Sequence, residues 1–400
     1  MRVYVPTETK FFKTADDKAI FPCHPVHTAT FWSRYLDVFD SVVLSGRLTA
    51  TQPHSTLPAT TSEHISFIPI STDDGSLRTL KSLLALARLI SKDLDAAVCL
   101  RMPTLASTFV GFEMLRTKRP FGVEVVGDPA DALGSSVASS VPFKRVLKPL
   151  LCYAQRLLCR RAAATAYVTA KALQQHYPPN AEAFTTHFSS IQMTDDYFHA
   201  YDNEHPKIGT HLIHVGSCGK ALYKGQDVLL DAVAFLRRQY PNIHLTLVGG
   251  GEGLPIIEQK IKQLGLTECV HLCGHVENMN ELRGLLDASH LFVLPSLTEG
   301  LPKALIEAMA RGLPAIASNV GGVSELLGAE ALVPPNDSEQ LAAKIAKFIQ
   351  SLVLRTEISQ RNFKKATEYH IDSIRPRRNA YYSEILSHTE AWQKRNCKRE

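Results

Sequence analysis

Residues 295–325, PSLTEGLPKALIEAMARGLPAIASNVGGVSE, place one glutamate before a predicted helix and a second glutamate on it. Glu299 lies in a loop before a predicted helix, and Glu307 lies on that helix, where its carboxylate would accept both hydroxyls of a ribose. The unpaired N–H groups of a helix N-terminus favour phosphate. Taken singly, Glu299 as a capping acid and Glu307 as a surface charge are the simpler interpretations. The predicted phosphate-binding turn consists of Gly300, Leu301, Pro302 and Lys303.

Three further loops follow predicted strands in the same half of the chain, and we expect all of them to converge on one crevice. In HVGSCGKALYKGQ, Lys224 would reach a diphosphate, and in LCGHVEN backbone groups would hold the edge of a base. The glycines of LVGGGEG allow close backbone approach. They do not form the G-x-G-x-x-G fingerprint of a dehydrogenase, because Leu254 stands at its last glycine. The donor-binding candidates in these loops are Gly216, Lys224, Gly249, Gly250, His275 and Val276.

Short apolar runs alternate with amphipathic helical patterns, which is typical of parallel α/β domains. The polar stretch 201–210 reads as a linker. We therefore expect an α/β protein of two facing Rossmann-like, doubly wound domains, 1–203 and 204–372, with a ligand cleft between the carboxyl ends of their strands. Residues 373–400 are predicted to be helical, with a return to the first domain as one option. Predicted strands are 2–5, 41–44, 66–69, 96–100, 122–126, 166–168, 211–216, 244–249, 270–274, 291–295 and 314–318, and predicted helices are 77–94, 225–239, 255–264, 279–288, 303–311 and 338–351.

The second half, from about residue 211 to 351, resembles the donor-binding domain of the retaining glycosyltransferases of family 4, which have the GT-B fold. It is most like the exopolysaccharide and lipopolysaccharide enzymes of that family. The shared motifs are YKG, the glycine loop after LTLVG, two glutamates separated by seven residues, and GLPAIAS…GG…E.

The resemblance implies retaining, metal-independent transfer from a UDP- or GDP-linked sugar, with no separate cofactor. Glu307 would bind the donor ribose and Lys224 the diphosphate. Glu299 and the backbone of 300–303 would contact the transferring sugar and the phosphates. The acceptor would be a glycan or a lipid-linked glycan in cell-surface polysaccharide biosynthesis.

One position departs from the family pattern. Ser217 stands where relatives often have an arginine, so neutralisation of the leaving diphosphate would rest on Lys224, with Lys220 or Lys303 as substitutes. This departure, together with the absence of the paired-glycine loop that many relatives carry after the first strand, leaves open a non-catalytic relative that binds a nucleotide-sugar. A nucleotide-sugar epimerase or phosphorylase that shares the two-domain fold is a second alternative, although the sequence shows neither the catalytic acids nor the pyridoxal-binding lysine that it would need.

The first half offers fewer candidates. Relatives often supply a histidine or an acid near the reacting sugar, and Asp128, after the predicted strand 122–126, is the candidate here. An Asp-Pro turn is an equally good interpretation of the same residue. The Asp93–Leu94–Asp95 triplet imitates a metal-binding D-x-D motif but ends a predicted helix, so we expect no metal site. The predicted catalytic residues are Glu299, Lys224 and Asp128.

The stretch 143–161, FKRVLKPLLCYAQRLLCRR, combines helical apolar spacing with six basic residues. An ordinary core-facing helix with a solvated basic side explains it. The alternative is peripheral contact with the inner membrane surface or with a lipid-linked acceptor.

The overall composition indicates what class of protein this is. Four hundred residues with 45% hydrophobic and 21% charged side chains predict a folded protein of two domains. A net charge of +5 does not call for nucleic acid as a partner. The eight cysteines form no C-x-x-C pair, and no run approaches the length of a membrane span, so we expect a cytoplasmic protein.

Overall fold

The computed structural model describes residues 1–14, 19–23, 27–49, 57–71, 76–132, 144–199 and 210–396. The chain divides into two compact units, one from the described parts of 1–130, 143–188 and 375–400, the other from those of 131–142 and 189–374. The predicted boundary at 203/204 and the predicted linker, apart from Thr210, lie outside the described residues. Each unit has its own mainly parallel sheet, which confirms the predicted α/β class with two parallel-sheet domains.

The first unit is built on a sheet ordered β3-β2-β4-β1-β6-β7-β8-β9, with β5 pairing β4. All of its pairings are parallel except that of β2 with β3. Val3, Val98 and Leu100 in the central strands are fully buried, as a sheet covered on both faces requires. The strands are β1 Arg2–Val5, β2 Lys10–Lys13, β3 Ile20–Pro22, β4 Ser41–Leu48, β5 Ile65–Ile70, β6 Ala96–Met102, β7 Gly122–Val125, β8 Ala164–Tyr167 and β9 Phe184–His187.

The helices of the first unit cover this sheet. Thr104 caps α3 by accepting a hydrogen bond from the Ser107 N–H at 3.1 Å. Gly111 lets α3 approach α5 closely, since a Cβ atom there would lie 2.7 Å from Leu158 Cδ2. The helices are α1 Ala29–Trp32, α2 Ser76–Lys92, α3 Leu105–Arg116, α4 Pro129–Ala132, α5 Lys144–Arg161 and α6 Ala172–His176.

The second unit has six described parallel strands in the order β12-β11-β10-β13-β14-β15. Numbered from β10, this is the doubly wound order 3-2-1-4-5-6, whose direction reverses between β10 and β13. The crevice beside the carboxyl ends of these two strands is the place where such folds bind ligands. The strands are β10 His211–Val215, β11 His244–Val248, β12 Val270–Gly274, β13 Leu291–Leu294, β14 Ala315–Ser318 and β15 Leu332–Val333.

Five helices of the second unit agree with the predicted ones to within two residues at each end: α7 Gln226–Arg237, α8 Leu254–Gln263, α9 Met279–Asp287, α10 Lys303–Ala310 and α11 Ser338–Gln350. They are followed along the chain by α12 Leu352–Ala366 and α13 Ile371–Asn396. Residues 189–199 pack in this unit because their backbone is bonded there: the His199 N–H donates to Ala310 O at 3.0 Å, and the Ile371 N–H to Met193 O at 2.8 Å.

Residues 375–396 of α13 belong to the first unit. Tyr382 in this helix donates to Glu124 Oε1 on β7 at 3.0 Å, and Arg34 and Arg101 donate to Oε2 at 3.0 and 2.7 Å. Burial by itself would raise the pKa of Glu124, but the two guanidinium groups outweigh it and hold that pKa below its usual value. The buried carboxylate therefore stays ionised and ties β7 to the C-terminal helix.

Candidate functional site

Lys224 and Glu299 meet at the point where the strand order of the second unit reverses. Lys224 lies in the loop after β10 and Glu299 in the loop after β13. Lys224 Nζ donates to Glu299 Oε1 at 2.6 Å, and Ser296 Oγ donates to the same oxygen at 2.7 Å. The Lys224 and Glu299 side chains are 17% and 7% exposed. The two residues predicted to act on the donor thus form one ion pair in the crevice, and Ser296 is a member that the sequence motif did not reveal.

The YKG motif at 223–225 holds these two loops together. The Leu297 N–H donates to Tyr223 O at 2.8 Å. Gly225 has φ +74°, and a Cβ atom there would lie 2.0 Å from Pro295 O. Only glycine fits at this contact, so the motif fixes Lys224 opposite Glu299.

A second glycine contact supports the loop that carries Glu299. Gly321, after β14, has φ +51°, and a Cβ atom there would lie 1.7 Å from Glu299 O. The neighbouring Gly322 N–H donates to Gly300 O at 2.8 Å. The paired glycines of the sequence motif therefore pack against the backbone of residues 299–300 and hold it in place.

The loops after β10, β11 and β12 are linked in the same way. The Gly216 N–H donates to Val248 O at 2.9 Å, and the Gly249 N–H donates to Gly274 O at 2.7 Å. Gly249 has φ +142° and packs directly against Gly216 O. Gly250 lies beside His275, whose side chain is exposed, while Val276 is half-buried. All predicted donor-binding loops thus border one edge of the sheet.

The N-terminus of α10 lies beside Glu299. α10 begins at Lys303, the predicted start, and Pro302 is its N-cap, with extended backbone. The bonds of the Glu299 carboxylate run to Lys224 and Ser296 and not to an N–H group of this helix, so the capping interpretation of Glu299 is wrong. The first helical bond runs from the Ile306 N–H to Pro302 O, which leaves the N–H groups of the first turn without a helical partner. Gly300 and Leu301, which precede Pro302, are half-buried.

Glu307 is partly buried on α10, and burial raises its pKa although Lys303 and Arg283 oppose the shift. It is therefore not a solvated surface charge. Two neighbours of Glu307 were missed by sequence reasoning. The Arg283 guanidinium lies 4.8 Å from the centre of the Tyr197 ring. The pKa of Tyr197 is raised mainly by burial and, second, by the negative charge of Glu307. Their positions depend on residues 189–199 packing against α9 and α10, which no local pattern indicates.

Ser217, at the position where an arginine was expected, faces Tyr223, with 3.0 Å between their hydroxyl oxygens. Lys224 Nζ also lies 5.4 Å from the centre of the Tyr223 ring. The predicted substitutes for the arginine differ: Lys220 is exposed, whereas Lys303 is half-buried at the start of α10.

Asp128 is fully engaged within the first unit. Its Oδ1 accepts the Ala130 N–H at 2.7 Å and the Tyr177 hydroxyl, and Oδ2 lies 3.1 Å from His176 Nδ1. The Ala130 contact is the Asp-Pro turn that the sequence offered as an equal interpretation. The pKa of Tyr177 is raised, mainly by burial and second by its hydrogen bond to Asp128. A catalytic role for Asp128 stays a prediction.

The D-x-D triplet and the membrane span considered in the sequence can be compared with the described residues. Asp93 accepts hydrogen bonds from Arg2 and Tyr4, both at 2.9 Å, as a structural residue would. In the part of the chain that the structure describes, no three His, Cys, Asp or Glu side chains cluster as metal ligands would. None of the described helices combines the length and apolarity needed to cross a membrane.

The apolar face of α5 is only partly buried, unlike that of an ordinary core-facing helix. Ala154 and Leu158 are buried, as expected of a core-facing helix. Val146 and Leu150, which belong to the same helical apolar spacing, are 67% and 57% exposed, and Tyr153 is 61% exposed. The first half of α5 therefore leaves part of its apolar surface exposed.

The second unit matches a known protein family, and one relative matches most of the chain. The family described as Glycosyl transferases group 1 matches residues 209–351, which carry the site. Protein CapJ of Staphylococcus aureus is 28% identical over 351 residues, 86% of each chain. The amylovoran biosynthesis glycosyltransferase AmsK of Erwinia amylovora is 35% identical over 136 residues, only 32% of this chain and 33% of AmsK.

The fold agrees with these sequence matches. The crystal structure of Anabaena HepE in complex with UDP superposes with a TM-score of 0.66 at 17% identity, covering 97% of this chain and 100% of HepE. The two parallel-sheet units give the chain the GT-B fold, and residues 209–351, which carry the loops at the carboxyl edge of the second sheet, are similar to the group 1 glycosyltransferases.

Proposed function

We propose that the second unit binds a nucleotide-diphosphate-sugar and that the enzyme transfers the sugar, with retention and without a metal ion, to a glycan or lipid-linked glycan of a cell-surface polysaccharide. The observation that carries the proposal is the 2.6 Å contact between Lys224 and Glu299 in the crevice beside the start of α10. UDP in the HepE complex and the polysaccharide role in the name of AmsK support the donor and acceptor classes.

In the proposed reaction, the bond between the anomeric carbon and the β-phosphate oxygen breaks, and negative charge develops on the leaving diphosphate. Lys224 and the N–H groups of the first turn of α10 would stabilise that charge. These groups supply positive charge from the protein itself, which supports a reaction that needs no divalent cation. The ammonium group of Lys224 already lies at 2.6 Å from a carboxylate, so an incoming diphosphate would compete with Glu299 for it.

The donor site is tested by calorimetric titration of UDP and GDP and of their sugar conjugates. Glu307→Ala should weaken binding of the preferred nucleotide about 10- to 100-fold, because hydrogen bonds from two ribose hydroxyls to a carboxylate are lost. Glu258→Ala, which removes an exposed carboxylate from α8, is the matched control and should leave the affinity unchanged. Absence of nucleotide binding by the folded wild type would favour a non-catalytic relative, and turnover to an epimer would favour the epimerase alternative.

We further propose that α5 contacts the anionic inner membrane surface, where a lipid-linked acceptor would lie. Val146, Leu150 and Tyr153 are exposed at the i, i+4, i+7 spacing of one helix face. The sequence of α5 contains six Lys and Arg residues and no acidic residue. Exposed apolar side chains on a basic helix fit the boundary between anionic headgroups and acyl chains.

The membrane contact predicts retention on phosphatidylglycerol liposomes at low salt, measured by co-sedimentation. Replacing Val146, Leu150 and Tyr153 together with serine should release most of the protein, because the inserted apolar surface is lost. The control replaces Leu84 and Leu89 of α2, which are 39% and 47% exposed, with serine and should sediment like the wild type. Free wild-type protein at low salt would contradict the proposal.

A further inference from the structure

A cavity of about 510 Å³ opens in the first unit at the edge of the sheet where strands begin. Phe121 and Ala163, which line it, immediately precede β7 and β8, and Trp392 closes it from α13. β7 and β8 are parallel, so their carboxyl ends, where an acceptor site is predicted, lie at the opposite edge. The cavity is therefore separate from the predicted acceptor site.

The charges that line the cavity are strongly unbalanced. Lys118, Arg119, Arg161 and Arg395 contribute four positive charges, and Glu182 contributes one negative charge. In the described part of the chain, Lys118, Arg161 and Arg395 form no ion pair with a carboxylate. Such a concave, uncompensated positive surface attracts an anion of more than one charge.

Arg119 and Trp392 give the cavity a rigid wall. Arg119 is 3% exposed and is held by donating from Nη1 to Ile90 O at 2.8 Å. Its guanidinium carbon lies 5.7 Å from the centre of the Trp392 ring. Its buried Nε has no hydrogen-bond acceptor among the described residues. Arg119 therefore fixes the Trp392 ring, on which the flat part of a ligand can pack.

We propose that this cavity binds a small phosphorylated ring compound, of the class of a sugar phosphate. Its phosphate would contact Lys118, Arg161 and Arg395, and its ring would pack on Trp392. The volume of about 510 Å³ lies in the range of small-molecule sites.

The chain carries its own reporter for this site. It has two tryptophans, of which Trp32 is fully buried and Trp392 lines the cavity. Titration with glucose 1-phosphate, and separately with pyrophosphate, should change the tryptophan emission saturably in the wild type. The change should be absent in Trp392→Phe, so binding at the nucleotide site would not be mistaken for binding here.

Charge reversal tests the anion specificity. The double variant Arg161→Glu/Arg395→Glu should raise the dissociation constant at least about 10-fold, because two charge-assisted contacts become repulsive. Lys262→Glu/Lys347→Glu, at two exposed lysines of the second unit, changes the net charge equally and should bind like the wild type. Equal weakening in both double variants would overturn the site, as would a response that persists in Trp392→Phe. A response to phosphatidylglycerol vesicles but to neither soluble probe would overturn a soluble ligand.

Discussion

Lys224→Met is expected to lower kcat by about 100- to 1,000-fold, the usual cost of removing one preorganised group that stabilises developing negative charge. The lysine lies at 2.6 Å from Glu299 in the crevice, and no arginine stands at position 217 to replace it. The measurement is transfer or slow hydrolysis of the donor that the nucleotide titrations identify. Lys220→Met is the matched control: it removes an exposed lysine of the same loop and should keep nearly full activity.

The same variant has a structural consequence that can be separated from the catalytic one. Without Lys224, Glu299 keeps only Ser296 as a donor at Oε1 among the described residues, and a nearly buried carboxylate without its cation costs stability. Lys224→Met/Glu299→Gln should therefore recover the melting temperature lost in Lys224→Met without recovering turnover. If the double variant regains activity, or if Lys220→Met is the more damaging single change, diphosphate stabilisation by Lys224 is wrong.

Gly321→Ala is expected to abolish most activity and to lower the free energy of unfolding by roughly 3 kcal/mol or more, the scale of severe steric conflict at a special backbone position. The added methyl group would lie 1.7 Å from Glu299 O, an atom of the main chain that cannot rotate away. The loop carrying Glu299 and Gly300 must then move, and the Gly322 N–H loses its bond to Gly300 O. Chemical denaturation and the transfer assay measure the two effects.

Two other glycines separate the steric conflict from the backbone conformation. Gly265 and Gly274 have φ +66° and +65°, close to the +51° of Gly321, but nothing lies within 4 Å of a Cβ atom built on either one. Alanine at these positions should cost only about 1–2 kcal/mol, the penalty of the left-handed region. If Gly321→Ala costs no more than Gly265→Ala, the loop is not supported by Gly321 in the way described here.

Much of the second unit follows from local sequence. Its strands β10 to β14 and helices α7 to α11 lie within two residues of their predicted ends, because buried strands and amphipathic helices leave strong periodic signals. The strand β15 has only two residues, too few for such a signal, and was not predicted. The first unit was less predictable. The strands β2, β3 and β9 are short and lie at or next to a sheet edge, and α3 buries residues on several faces, so neither type shows a clear period.

The sequence by itself determined the fold class, the family motifs and which residues border the crevice, because those properties depend on residue types at short spacing. Only the tertiary structure decided how they are held. Ser296 joins Lys224 at Glu299, Gly321 supports the same loop, and Tyr197 and Arg283 approach Glu307. These contacts join residues up to about 110 positions apart, as Tyr197 and Glu307 are. Their partners are set by strand order and loop packing, which no local pattern encodes.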